Sequence, residues 1–196
     1  GHMPTPPKIL ALAGSTRRES YNKKLVAVAA KGAREAGAEV QILDLRDYPL
    51  PLFDEDLERE ATPENALRLK QIFREHQGLL IASPEYNSSV TALLKNAIDW
   101  VSRPGPGSPG LVAFAGKVAG LMSASPGALG GLRGLVHLRA ILGNIQVLVL
   151  PQQVAVPRAH EVFSSEGVLL DPNIQRGVEE IGRTLAETIA KLHPGN

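Results

Sequence analysis

Five short apolar runs punctuate the chain, and between them apolar positions recur at helical spacing. Residues 9–13, 40–45, 78–82, 117–123 and 145–150 read as strands. Leu25, Val28, Ala29, Gly32, Ala33 and Ala36 share one helical face, and Gly37 is a natural stop. Thr62-Pro63-Glu64 reads as a helix start, with a capping hydroxyl, a proline at the first helical position and an acid in the first turn. Residues 90–101 and 129–142 read as further helices. Asp171-Pro172 opens a last one, whose stripe is Ile174, Val178, Ile181, Leu185, Ile189 and Leu192. Strands that are apolar throughout are buried on both faces, the habit of parallel sheets. With right-handed crossovers, the expectation is a three-layer α/β sandwich around a five-stranded parallel sheet. Ligands in such sheets bind beyond the carboxyl ends of the strands, at the switch point. The loops after strands one, three and four are therefore the ones to examine.

The loop after strand one is Gly14-Ser15-Thr16-Arg17-Arg18-Glu19-Ser20-Tyr21-Asn22, with a helix behind it. Gly14 permits a sharp turn. Ser15, Thr16, Ser20 and Asn22 are short donors, and Arg17 offers a charge-assisted bond. The helix N-terminus adds unpaired amides and a positive dipole end. This set suits a terminal phosphomonoester. It lacks the glycine spacing and lysine of a P-loop, and it is not G-x-G-x-x-G, so neither ATP hydrolysis nor a standard dinucleotide fingerprint is expected. The competing reading is a polar turn with Ser20 as a plain helix cap. Strand three leads into Ser83-Pro84-Glu85-Tyr86-Asn87-Ser88-Ser89. Pro84 stiffens this turn, Asn87 tolerates unusual backbone angles, and the amides and the Tyr86 ring can meet a planar heterocycle. Here the competing reading is a turn in which Ser88 or Ser89 starts the next helix and Tyr86 is surface filler.

Composition narrows the chemistry. The 196 residues suffice for one domain with a sizeable core. Residues 1–7 read as a cloning scar (Gly1-His2-Met3) and a proline-rich, disordered start, and residues 8–196 as the single domain. Lys and Arg total 21 against 20 Asp and Glu, so no broad basic field draws nucleic acid. Cysteine is absent, which removes disulfides, thiol catalysis and zinc–thiolate sites and fits a cytoplasmic location. No apolar run approaches the roughly 18–20 residues of a membrane span. His76, His137, His160 and His193 show no metal-ligand spacing, so no metal is expected.

Taken together, Gly14-Ser15-x-Arg17-x-x-Ser20-x-Asn22 and Pro84-Glu85-Tyr86-Asn87-x-Ser89, followed by Leu94-Lys95-Asn96-Ala97-Ile98-Asp99-Trp100, resemble the NADPH-dependent FMN reductase family, which includes quinone, azo-dye and chromate reductases. Gly130-Gly131-x-Arg133, His137-Leu138-Arg139 and Pro157-Arg158-Ala159 also look like that family's segments. The resemblance implies a flavodoxin-like sheet, a tightly held FMN and assembly into a homodimer or homotetramer. It implies that Ser15, Arg17, Ser20 and Asn22 hold the FMN phosphate. Pro84, Glu85, Tyr86 and Asn87 would line the isoalloxazine, with Ser123 a further flavin contact at the end of strand four. The implied activity passes hydride from NADPH or NADH, through flavin N5, to a small-molecule acceptor such as a quinone, azo dye, chromate or free flavin. No side-chain acid or base is expected, because the flavin carries the chemistry. The different-class alternatives are an FMN-binding electron carrier or redox sensor without turnover, and a domain that has lost its cofactor. Ser125-Pro126-Gly127 receives no role. The acidic run Asp54, Glu55, Asp56, Glu58 and Glu60 reads as a solvated loop and helix start, or as a rim for a neighbouring subunit's site. Trp100 is expected in the core or at a subunit interface. Arg133, His137 and Arg139 are left as solvent-facing or oligomer contacts.

Overall fold

A computed structural model describes residues 5–105 and 107–194. The scar residues and Pro4 lie outside these. Order begins before Lys8, since the Pro7 carbonyl accepts from the Glu39 amide at 2.8 Å. Strands β1 (Lys8–Ala13), β2 (Glu39–Leu43), β3 (Gly78–Ala82), β4 (Val118–Ala124) and β5 (Leu148–Val156) form one sheet. All four pairings are parallel, in the order β2-β1-β3-β4-β5. That is the flavodoxin-like order, and it puts the switch point between β1 and β3.

β1, β3 and β4 are buried almost throughout, as their apolar sequences require. β2 and β5 are edge strands, β2 mostly exposed and β5 mostly half-buried, so burial on both faces does not extend to them. Helices α1 (Tyr21–Glu35) and α7 (Pro172–Leu192) cover one face, where Leu25, Ala29, Val178, Ile181 and Leu185 pack on the sheet. Helices α3 (Glu64–Arg74), α4 (Ala92–Val101) and α5 (Leu132–Asn144) cover the other with Leu69, Phe73, Leu94, Ile98, Leu135 and Leu138. α1 and α7 touch backbone to backbone. A Cβ at Gly182 would stand 1.9 Å from the Ala29 carbonyl oxygen, and one at Gly32 2.0 Å from that of Glu179.

Several local expectations change. α3 starts at Glu64 with Pro63 as cap and no side-chain cap bond, so Thr62 does not cap it. α4 is capped by Thr91, not by Ser88 or Ser89. β5 starts three residues later than expected and runs on through Pro151. An edge strand with a shifted register tolerates a residue that cannot donate to the ladder. The acidic run forms a short helix, α2 (Glu55–Glu60), capped by Asp54. A further short helix, α6 (Ala159–Val162), follows β5. Trp100 is buried, and its Nε1 donates to the Pro51 carbonyl at 2.8 Å.

Candidate active site

The loops after β1, β3 and β4 meet at the carboxyl end of the sheet around a cleft of about 320 Å³. Ser15, Arg17, Ser20, Tyr21 and Asn22 form one wall. Pro84, Glu85 and Tyr86 form the second, and Ala124, Ser125 and Pro126 the third. Hollows also occur near the amino ends of the strands, for example beside Pro7, Gln77 and His193. The cleft described here is the one at the switch point.

The β1 loop is drawn tight by short-range bonds. The Gly14 amide donates to Ala82 O at 2.8 Å, and the Thr91 hydroxyl donates to Gly14 O at 2.7 Å. Glycine serves close approach here, because a Cβ would lie 3.2 Å from Leu94 Cβ and Thr91 Oγ1. Ser20 is the N-cap of α1, its Oγ accepting from the Lys23 amide at 3.3 Å. Ser15 Oγ accepts from the Arg17 amide at 3.2 Å. Asn22 is buried, and both ends of its side-chain amide are bonded. Nδ2 donates to Ala124 O and Oδ1 accepts from Ala124 N, both at 3.0 Å. It joins α1 to the end of β4 and also lines the cleft.

Arg17 is exposed. It donates to Glu19 O at 3.2 Å and rides over the Tyr21 ring, 5.5 Å from its centroid. Tyr21 itself stacks on Phe163 at 5.8 Å. Among the described residues no acceptor meets the amides of Ser15, Thr16, Arg18, Tyr21 or Asn22. Among the cleft-lining residues the open amides are those of Ser15, Tyr21 and Asn22, the last two at the positive end of α1, with the exposed Arg17 guanidinium beside them. This donor set fits a phosphate monoester.

The β3 loop is a tight hairpin turn. Tyr86 and Ser89 exchange amide hydrogen bonds of 3.0 and 3.1 Å, and Asn87 and Ser88 sit at the tip with φ of 51° and 67°. Two consecutive positive φ values are the signature of the hairpin turn whose twist matches its flanks. Tyr86 is exposed at the cleft mouth. The Glu85 side chain turns away toward α5. Its Oε2 accepts from Arg133 Nη2 at 2.6 Å and Nε at 3.1 Å, and its Oε1 accepts from the Gly134 amide at 3.1 Å. The bond from Arg133 holds the Glu85 carboxyl below the usual carboxylate range; burial opposes this, and the Gly134 amide adds to it. The Ser89 hydroxyl shares a 2.7 Å hydrogen bond with His137 Nδ1.

Of the nine residues expected at a flavin, seven line the cleft. Asn87 is at the hairpin tip and outside the lining. Ser123 is fully buried, with its hydroxyl donated to the Gly130 carbonyl, so it lies behind the lining and has no free polar atom to offer. Tyr21, Ala124, Ser125 and Pro126 line the cleft without having been expected there. The sequence did carry a signal for the last three: they follow a buried strand directly, as the other two walls do. Arg133 and His137 are solvent-exposed, as one of the two readings expected, and both also hold the β3 loop. Arg139 donates to Leu150 O and Gln153 Oε1, each at 2.8 Å. No cluster of three potential metal ligands occurs among the described residues.

The family model for NADPH-dependent FMN reductases matches residues 7–161. An NAD(P)H-dependent FMN reductase of Pseudomonas aeruginosa is 35% identical over 186 residues, covering 94% of this chain and 96% of that one. A quinone reductase of Pseudomonas putida is 42% identical over 168 residues, covering 83% and 84%. Among solved structures, a flavoenzyme NAD(P)H:(acceptor) oxidoreductase from Paracoccus denitrificans superposes with a TM-score of 0.79 at 29% identity, over 94% of this chain and 98% of that one. An archaeal flavodoxin shares the fold at 10% identity, with a TM-score of 0.61. With a match over most of its length, and with the paired loops of residues 14–22 and 84–89 facing one another across the switch point, the chain belongs to the NADPH-dependent FMN reductase family.

Proposed function

We infer that this FMN-dependent NAD(P)H oxidoreductase seats its cofactor in the cleft between the β1, β3 and β4 loops and delivers the electrons to quinones. The observation that carries the reading is the set of open amides from Ser15 to Asn22, at the positive end of α1 and facing the Pro84–Tyr86 wall. Ser15, Ser20, Arg17 and the amides of the turn hold the phosphate. The Ser20 and Asn22 side chains also fix the backbone, since they cap α1 and tie it to Ala124. The backbone of Pro84, Glu85 and Tyr86 lines the ring system, and the exposed Tyr86 flanks the mouth. Bound there, FMN supplies the transfer of two electrons from the nicotinamide to the acceptor. The chain's own part is to hold it, to exclude water from one side, and to offer the ring the Glu85 amide, the one N–H of the Pro84–Tyr86 wall without a partner among the described residues.

Quinone as acceptor is supported by the printed activities of the relatives, one of them 42% identical. An open mouth flanked by Tyr86 admits azo dyes, chromate and free flavin as well. The homodimer or homotetramer belongs to the same reading. Leu129, Leu132 and Val136 are exposed on the α5 side of the fold and form an apolar stripe for a second copy to cover. No described helix is long and apolar enough to cross a membrane, and a cytoplasmic location is part of the proposal.

The test is the visible spectrum of the purified protein before and after anaerobic NADPH. Flavin bands that bleach are expected. Bands that persist would leave an electron carrier or sensor. Bands that are absent even after incubation with FMN would remove the phosphate reading of the β1 loop.

A further inference from the structure

The residues lining the cleft include one carboxylate, Glu85. A carboxylate at the wall of a flavin site opposes reduction, because each added electron puts negative charge beside it. In this chain the charge is taken out of play by an element that does not line the cleft. Arg133, in the first turn of α5, approaches Glu85 Oε2 through two nitrogens, at 2.6 and 3.1 Å, and the Gly134 amide occupies Oε1 at 3.1 Å. The Glu85 side chain is 10% exposed and that of Arg133 57%. The carboxylate therefore has little water of its own, and without the guanidinium it would stand almost alone.

The same contacts hold the loop in shape. Asn87 and Ser88 adopt a left-handed backbone that residues with side chains rarely take, so the hairpin tip needs anchoring from outside. It has two anchors, both on α5. One is Glu85 to Arg133 and Gly134, and the other is Ser89 to His137 at 2.7 Å. Glycine at 134 lets them close, since a Cβ there would lie 3.0 Å from Ser89 O.

We propose that Arg133 is a positioning residue for the flavin: it holds the Glu85 carboxylate against α5, away from the cleft, and balances its charge, so that the Pro84–Tyr86 backbone meets the flavin while no unpaired anion does. This rests on the FMN site inferred above. Arg133 itself touches no reacting atom. It acts through Glu85, and its effect belongs on the electron affinity of the bound flavin and not only on stability.

The experiment is the midpoint potential of the bound flavin in the FMN-loaded wild type, Arg133→Met, Glu85→Gln and the double variant, with the FMN dissociation constant measured alongside. Arg133→Met is expected to shift the potential to more negative values and to raise the dissociation constant several-fold. The double variant is expected to return the potential toward wild type, since the unpaired anion has gone. A general loosening of the loop would not be reversed by removing a second bond. An unchanged potential in Arg133→Met, or a double variant shifted as far as the single one, overturns the proposal. Should Arg133→Met lose its flavin altogether, FMN titrations decide: rescue by Arg133→Lys and by the double variant supports the proposal, and no rescue by either overturns it. A wild type that refuses FMN overturns the cofactor site, and the proposal with it. A wild type that binds FMN beside an unaffected Arg133→Met overturns the proposal alone.

Discussion

Arg17 and Asn22 belong to one loop and share a polar character, yet they work in different ways. Asn22 spends both ends of its amide on Ala124, 102 residues away, and is structural. Arg17 keeps an exposed guanidinium whose one hydrogen bond among the described residues is a 3.2 Å contact to a neighbouring carbonyl, and it can swing onto an anion. Arg17→Ala should therefore weaken FMN by roughly tenfold, the low end for a charge-assisted bond at an exposed position. Riboflavin, which lacks the phosphate, should bind the variant and the wild type alike; fluorescence titration with both flavins checks this. The sequence made the turn legible as polar and donor-rich, but not this division of labour, because hydrogen-bond partners a hundred residues apart leave no local pattern. Lys117 was equally silent. It lies at the start of a strand and reads as a strand residue, yet it is only 7% exposed, its Nζ donates to the His76 carbonyl, and burial pushes its pKa down to about 8. The folded state thus binds fewer protons than the unfolded state between about pH 8 and the ordinary lysine value near 10.4. Stability from this group is lowest below pH 8 and rises as pH climbs through that window, by about 3 kcal/mol. Lys117→Met removes the charge penalty. Its stability advantage over wild type in urea should shrink by about that amount between pH 7.5 and 10.5.

At the scale of elements, the helices and the inner strands were legible because periodicity reports burial directly. α7 shows this best: of its expected stripe, Val178, Ile181, Leu185 and Ile189 are buried, while Ile174 at the first turn is half-buried and Leu192 at the last is exposed. The errors fall where a local rule meets a tertiary exception. Pro151 looks like the end of a strand, and only its position at the sheet edge lets β5 continue through it to Val156. Thr62 and Ser89 look like caps, but Thr91 caps α4 because its hydroxyl also reaches Gly14 O. The α1–α7 contact was visible only as two glycines inside helical patterns. It predicts opposite outcomes for one substitution. Gly182→Ala puts a methyl 1.9 Å from a backbone oxygen and should cost about 1–3 kcal/mol, despite the better helix propensity of alanine. Gly143→Ala, with nothing within 4 Å, should gain about 0.5–1 kcal/mol from propensity alone. Urea midpoints of the two variants settle the comparison.

For the whole molecule, five apolar strands alternating with helices were enough to specify a parallel three-layer sheet, and the sheet alone pointed to the carboxyl ends of its strands, where the cleft lies. The third wall, Ala124 to Pro126, was signalled by its place after strand four, but its residues received no role because they carry no distinctive side chain. The α1–α7 contact also bears on how the protein is made. α1 carries the phosphate turn at its N-terminus, yet the helix it rests against begins at Pro172, some 140 residues further along the chain. At about 5–20 residues per second, a ribosome needs roughly 7–30 s to synthesise that stretch. During that interval α1 can lie on the sheet but lacks the helix that meets its backbone at Gly32, so the packing behind the turn of residues 14–22 is completed only once the C-terminal helix has been made.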